Sequence, residues 1–151
     1  MTVIAWDGHT LAADKRNIVG GGLALTCTKI VPWKNCLLGI TGDWDTGAEL
    51  REWFGAGASL EKFPASAREG KATLIVIMRN DDGHVDLLQF SNGPFPLRVE
   101  HFRHAWGSGR DFALAAMFLD HDARSAVSVA CEFQSDCGNG IDILQLPPKE
   151  L

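Results

Sequence analysis

The sequence predicts an α+β fold of antiparallel sheets covered by helices, and three patterns point to it. Apolar runs of strand length recur in pairs, separated by short turns rich in Gly, Asn and Asp. Segments with helical periodicity are few, and two of the three come late in the chain. The order is not a repeating β-α-β, so the strands pair as hairpins rather than through helical crossovers.

The elements follow in order. "TVIAW" (2–6) and "HTLAA" (9–13) flank Asp7-Gly8, a dipeptide suited to a tight hairpin. A two-residue turn there sets Met1 opposite Asp14, whereas a three-residue loop sets Thr2 opposite Asp14. Because the apolar run starts at the second residue, the chain end is expected to be held in a sheet. After Gly20, Gly21 and Gly22, "LALTCTKIV" reads as one strand, "PWKN" as a turn and "CLLGIT" as the next strand. "DWDTGAELREWF" predicts a short amphipathic helix, with Asp43 or Asp45 as N-cap and Leu50, Trp53 and Phe54 on one face. Residues 55–70, rich in Gly, Ala and Ser and carrying Pro64, read as a loop or broken helical turn. "KATLIVIMR", the turn "NDDG" and "HVDLLQF" make a third hairpin, and "LRVEHFRHAW" reads as one extended segment. Gly107-Ser108-Gly109 opens the helical run "RDFALAAMFLD", His121-Asp122 breaks it from a second helix, "ARSAVSVACEF", and "NGIDILQL" closes the pattern as a strand.

Composition sets the functional frame. The 151 residues, 46% apolar and 22% charged, are read as one domain spanning 1–151. The net charge of −5 is spread without a basic block, which argues against nucleic acid or an anionic membrane as partner. No apolar run approaches about 18 residues and no leader pattern is visible, so the cytoplasm is the default location. Cys27, Cys36, Cys131 and Cys137 lack C-x-x-C spacing and read as small buried hydrophobes. His101 and His104 fall on opposite faces of the expected strand and make no metal pair. "DWDTG" lacks the Gly position and the distal Glu of a calcium loop. Gly107-Ser108-Gly109 lacks the β-α-β setting of a phosphate loop.

Taken singly, the remaining candidates have plain structural readings: Thr2 a strand residue, Asp14 a turn, Lys29 a surface position, Gly42 and Ser108 a turn and a helix start. In order they carry more. The opening Thr, the D-G turn, "LAADKR", "TKIV", "GITGD" before a helix, "GSGRDFALAAM" and "GNGIDIL" resemble proteasome β subunits and the bacterial HslV peptidase over nearly the whole chain. The resemblance implies the N-terminal nucleophile hydrolase fold, a four-layer αββα sandwich of two antiparallel sheets, with one helical layer reduced where residues 55–70 are short.

It also implies an activity, that of a threonine-type peptidase or amidase acting through Thr2 after Met1 is removed. A threonine hydroxyl needs a base, and the α-amino group of the same residue has a reference pKa of about 7.7 to 8.0. By the same resemblance Lys29 stands beside that amine and disfavours its protonated form, while Asp14 orients Lys29. The backbone N–H of Gly42 stabilises the oxyanion, Ser108 lies near the amine, and Trp44 walls the substrate pocket and favours small side chains. Counting along "QSDCGNGID" places Gln134 and Cys137 where the proteasome pattern has an Asp and a Ser, and Asp136 reaches the site only through a shifted loop. The implied chemistry needs no cofactor or metal. A peptide or protein substrate, a homo-oligomer and an ATP-dependent unfoldase are the implied partners. An inactive scaffold with the same fold and a small-molecule amidase are the alternatives.

Overall fold

The protein is described as a computed structural model covering residues 1–149. In chain order the elements are β1 (Ile4–Trp6), β2 (Thr10–Asp14), β3 (Arg16–Val19), β4 (Leu23–Thr26), β5 (Ile30–Trp33), β6 (Cys36–Gly42), α1 (Trp44–Gly55), β7 (Ala72–Arg79), β8 (Val85–Phe90), β9 (Leu97–Val99), β10 (His104–Trp106), α2 (Arg110–Phe118), α3 (Ala123–Phe133) and β11 (Ile141–Gln145). Two sheets stack: one ordered β10-β1-β2-β11, the other β5-β6-β7-β8-β9, with every pairing antiparallel.

Strand alternation decides which layer each residue joins. Ile4, Trp6, Leu11 and Ala13 face Ile30, Leu37, Ile75 and Ile77 of the second sheet. Their neighbours Val3, Ala5 and Ala12 face the opposite way, onto Ala113, Met117, Val127 and Ala130 of α2 and α3. On the far side, Leu38, Leu74 and Val76 pack against Leu50 and Trp53 of α1. The layers are therefore helix pair, sheet, sheet, helix. The last is thin: after α1 come only the short 3₁₀ turns Leu60–Lys62 and Ala65–Glu69. Asp43 caps α1, its carboxylate accepting the Thr46 N–H at 2.9 Å.

Four sequence expectations are corrected. First, the hairpin register matches neither expected pairing. Trp6 pairs with Leu11 and Ile4 with Ala13, which brings Val3 opposite Asp14, and the Asp14 N–H donates to the Val3 carbonyl at 3.2 Å. The cause is the Asp7 side chain, which accepts from the backbone N–H groups of His9 (2.9 Å) and Thr10 (2.8 Å) and so moves the tip to Gly8-His9.

Second, "LALTCTKIV" is two strands. β4 pairs with β3 in a separate ribbon tipped by Gly20–Gly22, and β5 enters the main sheet. Third, "LRVEHFRHAW" also divides, β9 pairing with β8 and β10 with β1 in the other sheet. Fourth, because the chain bends before β10, His101 and His104 do not point apart; their rings meet edge-on with centroids 5.4 Å apart.

Candidate active site

Asp14 is the last residue of β2 and is fully buried. Such a carboxylate must be satisfied from every side, and it is. Oδ1 accepts from the Val3 N–H at 3.0 Å and from Lys29 Nζ at 2.8 Å, while Oδ2 accepts from the N–H groups of Gly138 (3.1 Å) and Arg16 (3.2 Å). One side chain thus ties the first strand, the Lys29 segment and the loop before β11 together.

Lys29 lies in the link between β4 and β5 and is 7% exposed. Its carbonyl accepts from the Ile40 N–H at 3.1 Å, which anchors the link to β6. Besides Asp14, its ammonium donates to the Met1 carbonyl oxygen at 3.0 Å. That carbonyl is bonded to the Thr2 nitrogen, so the ammonium stands next to the backbone of Thr2.

Thr2 is likewise 7% exposed. Its N–H donates to Ser108 Oγ at 3.1 Å and its carbonyl accepts from the Gly109 N–H at 3.1 Å. The chain can come this close only because residue 107 is glycine: with φ at +96°, a Cβ there would run into the Thr2 carbonyl. The G-S-G stretch thus serves to seat the N-terminal segment at the start of α2.

Ser108 in turn meets Asp136, with Oγ to Oδ1 at 3.1 Å. The ionised carboxylate only accepts, so the serine proton points to Asp136 and the oxygen lone pairs are left for the Thr2 nitrogen. Asp136 Oδ2 also lies 3.9 Å from the Met1 ammonium. Burial pushes the Asp136 carboxyl up, but hydrogen bonds with Gln134, Ser108 and Cys137 and the positive charge of the Met1 ammonium together outweigh it, and the net position is below the usual carboxylate range.

Counting along the sequence pointed to Gln134 and Cys137 instead. Gln134 is the C-cap of α3. Cys137 is fully buried among Val3, Ala113 and Ala130, and burial, reinforced by the charges of Asp14 and Asp136, pushes its thiol up to about 12. It packs; it does not ionise near neutral pH. Asp136 reaches Ser108 because Gly138, Asn139 and Gly140 all have positive φ and turn the loop back before β11. That run of turn residues was the available signal.

In front of Thr2 lies a cleft of about 460 Å³, lined among others by Thr2, Lys29, Ile18, Val19, Ile40 and Trp44. Gly42, at the end of β6 with φ +91°, borders it. Trp44 opens α1 at the rim and is 47% exposed. Of the residues singled out in the sequence, Thr2, Lys29, Gly42 and Trp44 line this cleft, while Asp14 is buried behind Lys29 and Ser108, with Asp136, behind the Thr2 nitrogen.

No protein-family model matches the sequence, and no curated protein matches it. Solved structures do. The structure of Thiobacillus denitrificans BPH in complex with epoxomicin is 19% identical, with a TM-score of 0.69 over 98% of this chain and 100% of that chain. Thiobacillus denitrificans BPH in a second structure is 20% identical, with a TM-score of 0.66 over 98% and 99%. Eukaryotic HslV from Trypanosoma brucei is 18% identical, with a TM-score of 0.69 over 95% and 97%. With two stacked antiparallel sheets between helical layers matched over almost its whole length, the chain has the proteasome-type N-terminal nucleophile fold represented by HslV.

Proposed function

We propose that this protein is a threonine-type amide hydrolase, a peptidase in which Thr2, exposed by loss of Met1, is both nucleophile and base. The observation that carries the reading is the meeting of Thr2, Lys29 and Ser108, drawn from segments far apart in sequence, at one buried junction. Removing Met1 frees the Thr2 nitrogen from its amide, so it gains a basic lone pair beside the Lys29 ammonium. The amine takes the Thr2 hydroxyl proton as the oxygen attacks a carbonyl carbon, then gives that proton to the departing amine. Water hydrolyses the resulting ester. The Gly42 N–H faces the developing oxyanion in this scheme, and Ser108, its own proton committed to Asp136, holds the amine in place. While Met1 is retained, the Thr2 nitrogen stays an amide and the same fold is an inert scaffold.

The test uses the chain expressed behind a cleavable tag that exposes Thr2, treated with epoxomicin, which the Thiobacillus denitrificans BPH structure also holds. Epoxyketones close a ring on the hydroxyl and amine of one N-terminal residue, so both groups must be free. Mass spectrometry should find one adduct on the Thr2-first chain and none on the Met1-bearing chain or on Thr2→Ala. A folded Thr2-first sample that stays unmodified overturns the reading in favour of the scaffold. Within a peptide epoxyketone series, Trp44 at the rim should favour small side chains next to the reactive group, and Trp44→Ala should relax that preference; if single amino-acid amides are turned over faster than peptides, the small-molecule amidase is the better description.

The same reading carries a homo-oligomer. Phe118 and Leu119 at the end of α2 and Phe133 at the end of α3 are exposed, and Phe112 stacks on Phe133, apolar surface that one copy leaves uncovered. Light scattering at tens of micromolar should give a mass above that of one chain. A monomer there removes the oligomer from the reading.

A further inference from the structure

We propose that Arg16 is a positioning residue of this site, holding the loop that presents Asp136 to Ser108; the inference rests on the reading of Thr2 as nucleophile. Arg16 begins β3, two residues after Asp14. Its guanidinium spans the 135–139 loop: Nη1 donates to the Ser135 carbonyl at 2.7 Å and Nε donates to Asn139 Oδ1 at 2.9 Å. These two anchors lie on either side of Asp136 in sequence. A planar fork with fixed donors can hold two such points at once, which a lysine cannot.

The rest of the loop is tied to the same corner. The Lys15 N–H donates to the Gly138 carbonyl at 2.9 Å, the Gly138 N–H donates to Asp14, and Asn139 Nδ2 donates to Thr26 Oγ1 at 3.1 Å. These bonds fix the C-terminal half of the loop. The Arg16 bond to Ser135 reaches the half that precedes Asp136, next to the turn bond from the Cys137 N–H to the Gln134 carbonyl at 3.0 Å. Without it, Asp136 is left to its contacts with Ser108 and with Gln134 and Cys137 of its own loop, and as the loop drifts the serine proton is free to turn toward the Thr2 carbonyl, 3.4 Å from Oγ. The serine oxygen then no longer presents a lone pair to the Thr2 nitrogen, and the amine loses its place.

The experiment measures the second-order rate of epoxomicin adduct formation on Thr2-first chains across pH, for the wild type, Arg16→Ala, Asp136→Asn and the double variant. Arg16→Ala should react about 10- to 100-fold more slowly, the scale of a displaced reacting group. The double variant should be no slower than the slower single variant by more than about two-fold, because the two residues act through one contact. In Asp136→Asn the acid limb of the pH profile should move to lower pH, as a negative charge leaves the neighbourhood of the amine; in Arg16→Ala the displacement of Asp136 acts in the same direction but loss of the guanidinium charge opposes it, so the limb should move less. Arg16→Lys should recover part of the rate. Melting curves establish that each variant is folded, and if Arg16→Ala is not, Arg16→Lys and Asn139→Ala take its place in the cycle, each expected to slow the reaction. An inert wild type overturns the nucleophile reading and this proposal with it. A reactive wild type with additive single effects, or with an Arg16→Ala chain that reacts at the wild-type rate, overturns the Arg16 proposal alone.

Discussion

Lys29→Met should slow epoxomicin capture by the Thr2-first chain about 100- to 10,000-fold, the range spanned by loss of a group that sets up general acid–base catalysis. The ammonium stands 3.0 Å from the carbonyl joined to the Thr2 nitrogen, so once that nitrogen is an amine, two cations would have to share the space. The repulsion favours the neutral amine, the form that can take a proton. With methionine there, the amine holds its proton more tightly, and the acid limb of the pH–rate profile should move to higher pH. The fold should survive, because Asp14 keeps three N–H donors, from Val3, Arg16 and Gly138. A Lys29→Met chain that is folded and reacts at the wild-type rate with an unmoved profile removes Lys29 from the mechanism.

Asp14→Ala should be the most destabilising substitution in the site, costing about 3–5 kcal/mol, the usual effect of stripping the partner from a buried charge. The 2.8 Å Lys29–Asp14 pair is nearly sealed, its side chains 5% and 0% exposed. Alanine leaves the ammonium without its counter-charge and three N–H groups without an acceptor. In a chain of this size the melting temperature should fall by roughly 10 °C. Asp14→Asn should lose less, since an amide oxygen can still accept while the charge is gone. Urea or thermal unfolding of the two variants checks the order; equal stability of Asp14→Ala and wild type contradicts the buried geometry. Lys29→Met also strips the partner from a buried charge, but it leaves Asp14 its three N–H donors, so on the proposed mechanism it should cost less stability than Asp14→Ala and show its larger effect on reactivity.

Much of this was legible in the sequence for local reasons. The hairpins showed because turn dipeptides separate strand-length apolar runs, as at 72–79 and 85–90, and α1 showed because Asp43 precedes a helical stripe. Thr2, Asp14, Lys29, Gly42 and Ser108 could be picked out by their order along the chain; Thr2, Lys29 and Gly42 line one cleft, and Asp14 and Ser108 hydrogen-bond to Lys29 and to Thr2. What was not legible depends on partners distant in sequence. The β3–β4 ribbon is glycine-rich and all of β4 is exposed, so it lacks the alternation that marks a strand with one buried face. The segments 23–33 and 97–106 each feed two different sheets, and nothing in an apolar run says where it changes partner. The first hairpin shifted by a residue because the Asp7 carboxylate bonds the turn. Asp136 was displaced from its expected rank by backbone geometry at 138–140, where counting residues fails.

The Asp14 junction also sets a clock. Its acceptors are filled by residues near the start of the chain and by Gly138 near the far end, and Ser108 and Asp136 are both late in synthesis. A nascent chain that has emerged only as far as α2 carries Thr2, Asp14 and Lys29 but neither the loop that seals the aspartate nor the carboxylate that fixes the serine. On the proposed mechanism such a chain holds every early ingredient of the reaction and cannot carry it out. On that mechanism the nucleophile is made first and armed last, once residues 136–138 have left the tunnel.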